Sequence, residues 1–247
     1  MADRYQLKGN YRSTAGTQTA DRAGIDAGLR KYMLGVYNYM TSGVLLTGII
    51  ALLTSQWVEG NPEAAMTLYS GPLSWVIMLA PLGFVLAMSF GLNKFSAGTL
   101  QVLFWAFAGV MGLSLSSIFL VYTGTSIAKV FFITAATFGA LSLWGYTTKK
   151  DLSGWGTFLF MGLIGIVIAS LVNLFLGSST LEMVISYAGV LVFAGLTAYD
   201  TQKIREMYYA GDAAETRSKK IIMGALNLYL DFINLFIMLL RILGSRE

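Results

Sequence analysis

The 247-residue chain contains no cysteine and no histidine. Their absence excludes disulfides, thiol nucleophiles, Cys/His zinc sites, haem ligation by His, and Ser-His-Asp or Cys-His catalysis. The usual switch near neutral pH is missing as well, so any response to protons falls to carboxylates. Proline is scarce, at three residues, which leaves room for long helices. Charge is also scarce: Asp, Glu, Lys and Arg make up 12% of the chain, about half the usual share. What is abundant is apolar. Hydrophobic residues are 55% of the sequence, and the mean hydropathy is +0.64. A water-soluble domain of this size has no core large enough to hide that surface, so the solvent for most of the chain is lipid.

The few charges punctuate the sequence. Uncharged runs cover residues 32–58, 64–93, 95–128, 130–148, 152–181 and 183–199. A helix needs about 20 mainly apolar residues to cross a bilayer. Six spans are expected near 32–54, 74–92, 99–122, 127–147, 155–177 and 182–204. A seventh stretch, Ile221 to Leu243, is interrupted before Arg241 by Asp231. None of these runs shows the period-two alternation of a barrel strand. The expected fold is an all-α membrane protein, a seven-helix transmembrane bundle. Thr123-Gly124-Thr125-Ser126 should join spans three and four as a tight hairpin, and the longer loops should be 55–73 and 205–219.

Residues 1–28 read as a polar, basic, mobile cytoplasmic tail, and residues 29–247 as one membrane domain. No apolar region accompanies the basic residues, so the tail is not expected to act as a signal peptide. Its Asp3, Asp21 and Asp26 dilute the basic charge, and no nucleic-acid partner is expected. With the N-terminus inside and seven spans, 14 of the 17 basic residues fall on the inner side, which places the N-terminus in the cytoplasm. Arg241 and Arg246 would then lie outside, so a re-entrant hairpin remains the rival for the last stretch. The five Trp fit interfacial anchoring. Small residues at Ala108, Gly112 and Ser116, and at Ala135 and Gly139, form ridges that let helices pack closely. Pro81 should kink span two, either as static packing or as a bend that moves.

Two carboxylates stand inside this apolar sequence. An ionised Asp at mid-bilayer costs roughly 2.5–3.5 kcal/mol and normally faces the bundle interior, a partner or water. Asn227, Asp231 and Asn234 are spaced at i, i+4 and i+7 and share one helical face, while the opposite face is Leu, Ile and Phe. That helix should be central in the bundle. Asp200 lies toward the end of span six, with Thr197 three residues before it and Lys203 three after. Spans six and seven are antiparallel. The depths of Asp200 and Asp231 match if the start of helix seven, at Lys219-Lys220, projects beyond the membrane. Two carboxylates close together in a poor solvent cannot both ionise cheaply and should titrate as a coupled unit. With the Asn oxygens they could also attract calcium. Calcium takes six to eight oxygens, so such a site on Asp200 and Asp231 is weak and hydrated, suited to passage. Structural pairing of Asp200 with Lys203 is the alternative. No cofactor is expected, calcium being at most a transported or weakly bound ion.

Ala198-Tyr199-Asp200-Thr201-Gln202-Lys203-Ile204 and Leu228-Tyr229-Leu230-Asp231-Phe232-Ile233-Asn234 closely resemble the signature of the transmembrane Bax inhibitor motif family, also called Bax inhibitor-1. Leu113-Ser114-Leu115-Ser116-Ser117-Ile118 and the tail-plus-seven-span layout are similar to its bacterial branch. The resemblance implies a seven-helix membrane protein with the last helix central, set in the inner (plasma) membrane. It also implies a pH-sensitive calcium leak channel in which Asp200 and Asp231 form a hydrogen-bonded, proton-sensing pair. Asn227, Asn234, Thr197 and Lys203 are the candidate ion-path or supporting residues. Eukaryotic relatives restrain cell death. Some bacterial relatives modulate a membrane-bound AAA protease, so a non-transporting regulator with a protease partner is the alternative function. Calcium-leak members carry an Arg in span two that latches onto the Asp of span six. Here residues 75–90 hold no basic residue, leaving gating to the Asp pair alone or to Lys203 as a substitute latch. Paired membrane aspartates also serve intramembrane proteases, but the residues around Tyr199-Asp200-Thr201 do not resemble that pattern, and no enzyme activity is expected.

Overall fold

The computed structural model describes residues 10–246, with side-chain surroundings given for Gly24 and for residues 26–246. The described chain is helical: α1 (Asn10–Glu59), α2 (Pro62–Tyr69), α3 (Pro72–Gly91), α4 (Ala97–Leu115), α5 (Ile118–Val121), α6 (Gly124–Thr147), α7 (Ser153–Leu176), α8 (Ser179–Glu206) and α9 (Ala214–Leu243). Seven stretches are long and apolar enough to cross a membrane: α1 from Asp26, α3, α4 with α5, α6, α7, α8 and α9. Each coincides with a span expected from the charge-free runs. The ends differ because helices continue past the last apolar residue into water. Backbone hydrogen bonding, not hydropathy, sets where they stop.

Three differences from the sequence expectation are informative. α1 extends back to Asn10, so most of the segment read as a mobile tail continues the helix of span one; residues 1–9 of that tail lie outside the described residues. The hairpin between spans three and four is tighter than expected. Thr123 caps α6, its hydroxyl accepting from Ser126 N. Span three is broken between Leu115 and Ile118, where Ser116 donates its hydroxyl to Leu113 O and meets the Tyr69 hydroxyl of α2 at 2.7 Å. Pro81 lies inside α3 without ending it.

The near end of the bundle, where α1 enters, holds the α3–α4, α6–α7 and α8–α9 connections. The far end holds the others. α9 reaches the far end. Ser245 N donates to Ser126 Oγ at 2.9 Å, Thr123 N donates to Ser245 O at 3.1 Å, and Arg246 pairs with Glu182 at 3.6 Å. The last stretch therefore crosses completely, and the re-entrant alternative is removed.

α9 packs against α1, α4, α6 and α8. In its most apolar stretch 67% of residues are buried, against 11–39% in the other spans. α3 packs on α4 and α2, and α7 packs on α8. Both show 11% burial and turn most of their surface to lipid. Trp57, Trp75, Trp144 and Trp155 are about half exposed or more, as interfacial anchors should be. Small residues permit the close approaches. A Cβ on Gly112 would meet Ile50 and the Thr47 carbonyl of α1, and one on Gly145 would overlap the Ala198 carbonyl of α8. Gly139 is different: a Cβ there would meet nothing within 4 Å, so the Ala135–Gly139 ridge is not a packing seam at that point.

Candidate functional site

α8 and α9 run antiparallel and share the most extensive helix contact in the bundle. Their pairing turns Asp200 and Asp231 onto the same cavity, near enough for each carboxyl to act on the other. The depth match is made as the sequence required: α9 starts at Ala214, 17 residues before Asp231, and its first turns project past the near end. There Lys219 donates to Leu92 O, while Lys220 pairs with Asp212 at 2.6 Å and donates to Met207 O. Asp231 is 4% exposed, and its Oδ2 has no hydrogen-bond partner. A buried carboxylate oxygen without a donor is costly, and the group facing it is another carboxyl.

The pair lines a cavity of about 530 Å³ between α7, α8 and α9. Lys203, Asn227 and Asn234 line it too. The i, i+4, i+7 face of α9 is thus turned into the chamber, as its polarity demands in an apolar helix. Asn234 donates its amide to Leu230 O at 2.8 Å, leaving its side-chain carbonyl oxygen as the acceptor. From Lys203 to Phe193 the cavity follows ten residues of α8, about 15 Å of helix and about half the hydrocarbon thickness. Farther along the α8–α9 seam, Met238 fills the space over Gly189, and the cavity lining on α8 ends at Phe193.

Thr197 is not brought to the cavity. Its side chain is fully buried and its hydroxyl donates to Phe193 O at 2.7 Å. Thr201, one turn on, meets Ser142 of α6 at 2.9 Å, so this stripe of α8 faces α6. Spacing of three on a helix leaves a residue some 60° off the face of its partner, and here that offset decides which neighbour it meets. Lys203 lies in the chamber but makes no ion pair within 4 Å among the described residues. Its Nζ sits 5.7 Å from the centre of the Tyr199 ring, where its charge still bears on Asp200. A latch from span two has no place here, because α3 packs on α4 and α2 rather than on α8. The oxygen-bearing side chains that line the cavity are those of Asp200, Asp231, Asn227, Asn234, Thr157 and Tyr199, and no cluster of three or more acidic side chains exists among the described residues.

Neutral residues of the site escape a reading based on charge. Tyr199 and Gly156 form the seam between α7 and α8 at the cavity mouth. A Cβ on Gly156 would overlap the Tyr199 ring. Gln202 clamps the α6–α7 connection, accepting from Leu152 N and donating to Lys150 O, both at 2.8 Å. Both Tyr199 and Gln202 stand within the Asp200 segment, whose helical position next to a buried acid was the available signal.

The family described as inhibitor of apoptosis-promoting Bax1 matches residues 29–247. An uncharacterized protein of Rickettsia prowazekii (strain Madrid E) is 50% identical over 231 residues, covering 94% of this chain and 96% of that one. The inner membrane protein YbhL of Escherichia coli (strain K12) is 51% identical over 225 residues, covering 90% and 94%. An uncharacterized membrane protein of Streptococcus pyogenes serotype M3 is 36% identical over 226 residues, covering 90% and 96%. The family match spans all seven membrane helices and the Asp200–Asp231 chamber, and these relatives align nearly end to end: the chain belongs to the Bax inhibitor-1 family.

Proposed function

We propose that this chain is a calcium-permeable leak channel of the inner membrane, gated by protons shared between Asp200 and Asp231. The observation that carries the reading is the facing pair itself: two carboxyls from consecutive spans, one of them 4% exposed with an unpartnered oxygen, in a chamber that reaches about halfway through the bundle. An acidic pair in hydrocarbon costs several kcal/mol when ionised. Holding a proton removes most of that cost and keeps α8 against α9. Losing it leaves two like charges at close range, which favours separation of the helices and entry of water and a cation. The weak, oxygen-only donor set suits an ion that must leave again. The inner-membrane location follows the YbhL relative.

The test is calcium flux into dye-loaded proteoliposomes between about pH 5 and pH 8, the range in which a physiological switch works. Wild-type flux is expected to change with pH. Asp231→Asn, which cannot lose a proton, should give a flat profile, and Asp200→Asn should flatten it as well. An unchanged pH profile in both variants removes the pair from gating.

A further inference from the structure

A cavity larger than the carboxylate chamber lies away from it. It is a groove of about 670 Å³ between α1 and α6, two spans that pass each other without extensive contact. Tyr37 of α1 reaches across to hydrogen-bond Ser142 of α6 at 2.7 Å, so the two helices stand apart at the width of a tyrosine. Phe232 of α9 forms part of the lining, and the walls are apolar. Leu34, Leu45 and Leu143 at the rim are 51–62% exposed, so the groove opens sideways at membrane depth and its occupant comes from the bilayer. A smaller recess of about 270 Å³ shares Val44, Phe131 and Phe232 with it and continues toward the far end.

The two ends of the groove differ in charge. Arg30 lines the near end, just before the first uncharged run of α1 begins at Tyr32, which is headgroup depth. Trp144 of α6, half exposed, stands at the corresponding interfacial level. From Arg30 to Leu45 the groove follows 15 residues of α1, about 22 Å by helical rise. One leaflet's share of the hydrocarbon is about 15 Å, so a whole acyl chain fits between the arginine and Leu45. A guanidinium over an apolar slot matches one occupant: an anionic phospholipid, with its phosphate on Arg30 and one chain laid between α1 and α6. We propose that the α1–α6 groove is a binding site for an anionic phospholipid. This site is independent of the carboxylate chamber and does not rest on the channel reading.

Native mass spectrometry of the delipidated full-length protein, titrated with phosphatidylglycerol or with phosphatidylcholine of identical chains, tests it. The wild type should take up one phosphatidylglycerol with about fivefold preference, because both lipids offer a phosphate to Arg30 but the choline cation cancels the net charge of the other lipid. Arg30→Gln should reduce that preference to near unity. Gly139→Trp, which projects into open space, should fill the groove and remove the one-lipid adduct of both lipids. If that variant fails to fold, Ala135→Phe fills the same wall. Equal uptake by the wild type and the filled variant overturns the proposal. So does a dimer that the filled variant abolishes, because the groove would then hold a second copy of the chain.

Discussion

At Gly145 the bundle has no room for a side chain, since the first added carbon would overlap the Ala198 carbonyl of α8, and backbone cannot step aside. Gly145→Ala is expected to cost about 1–3 kcal/mol, the range for overpacking, and to lower the melting temperature in detergent. Gly165→Ala is the control. Its added carbon meets nothing within 4 Å, and alanine favours the helix, so stability should hold or rise slightly. The sequence does not distinguish these two glycines, because both sit in apolar runs and small-residue spacing marks candidate seams without naming the partner. Asp200 and Asp231 were legible for the opposite reason: a charge in a long uncharged run stands out, and helical spacing then assigned Asn227 and Asn234 to the same face. Thr197 was misplaced by the same spacing argument, which gives an angle but not the identity of the helix on each side.

Among the elements, the α6–α7 connection is held from outside itself. Gln202 of α8 serves both Leu152 N and Lys150 O, and Arg205 donates to the carbonyls of Tyr146 and Thr148. Gln202→Ala leaves two backbone groups without their partner, a loss of about 1–3 kcal/mol for a buried group. It should be read out as faster tryptic cleavage after Lys149 and Lys150. Gln202→Glu keeps the acceptor for Leu152 N and should fall between the two. Number, order and approximate limits of six spans were legible from charge-free length, and the seventh, which carries Asp231 and Arg241, from its apolar composition. The break in span three was not, because Ser116 and Ser117 are compatible with a continuous apolar helix and the bend is fixed by the Tyr69 contact from α2. The full crossing of α9 was also open at the sequence level, since two terminal arginines argued against it. Glu182 and the α5–α6 turn supply the partners that hold that end in place.

For the whole molecule, the excess of basic residues at the near end leads to the prediction that this end faces the cytoplasm, and the cysteine-free sequence makes that directly testable. Single cysteines at Gly60 and Gly154, both exposed and at opposite ends, should behave oppositely toward a membrane-impermeant maleimide. Gly60→Cys should label in cells with a permeabilised outer envelope, and Gly154→Cys after lysis of the inner membrane. The reverse pattern would invert the bundle and put the mouth of the carboxylate chamber outside. The same frame separates a channel from a non-transporting regulator. Deleting residues 1–25 should leave calcium flux intact in a channel.

The unequal burial of the helices has one further effect. α7 leans on α8 along a seam of small contacts, Gly156 on Tyr199, Gly162 on Val192 and Gly195 on Leu159, while its other faces meet lipid. α8 and α9 are wedged on several sides at once. One seam and the surrounding lipid are thus what chiefly hold the α7 panel in place, so a substitution that opens the seam loosens α7 where the same loss on α9 would be shared among four neighbours.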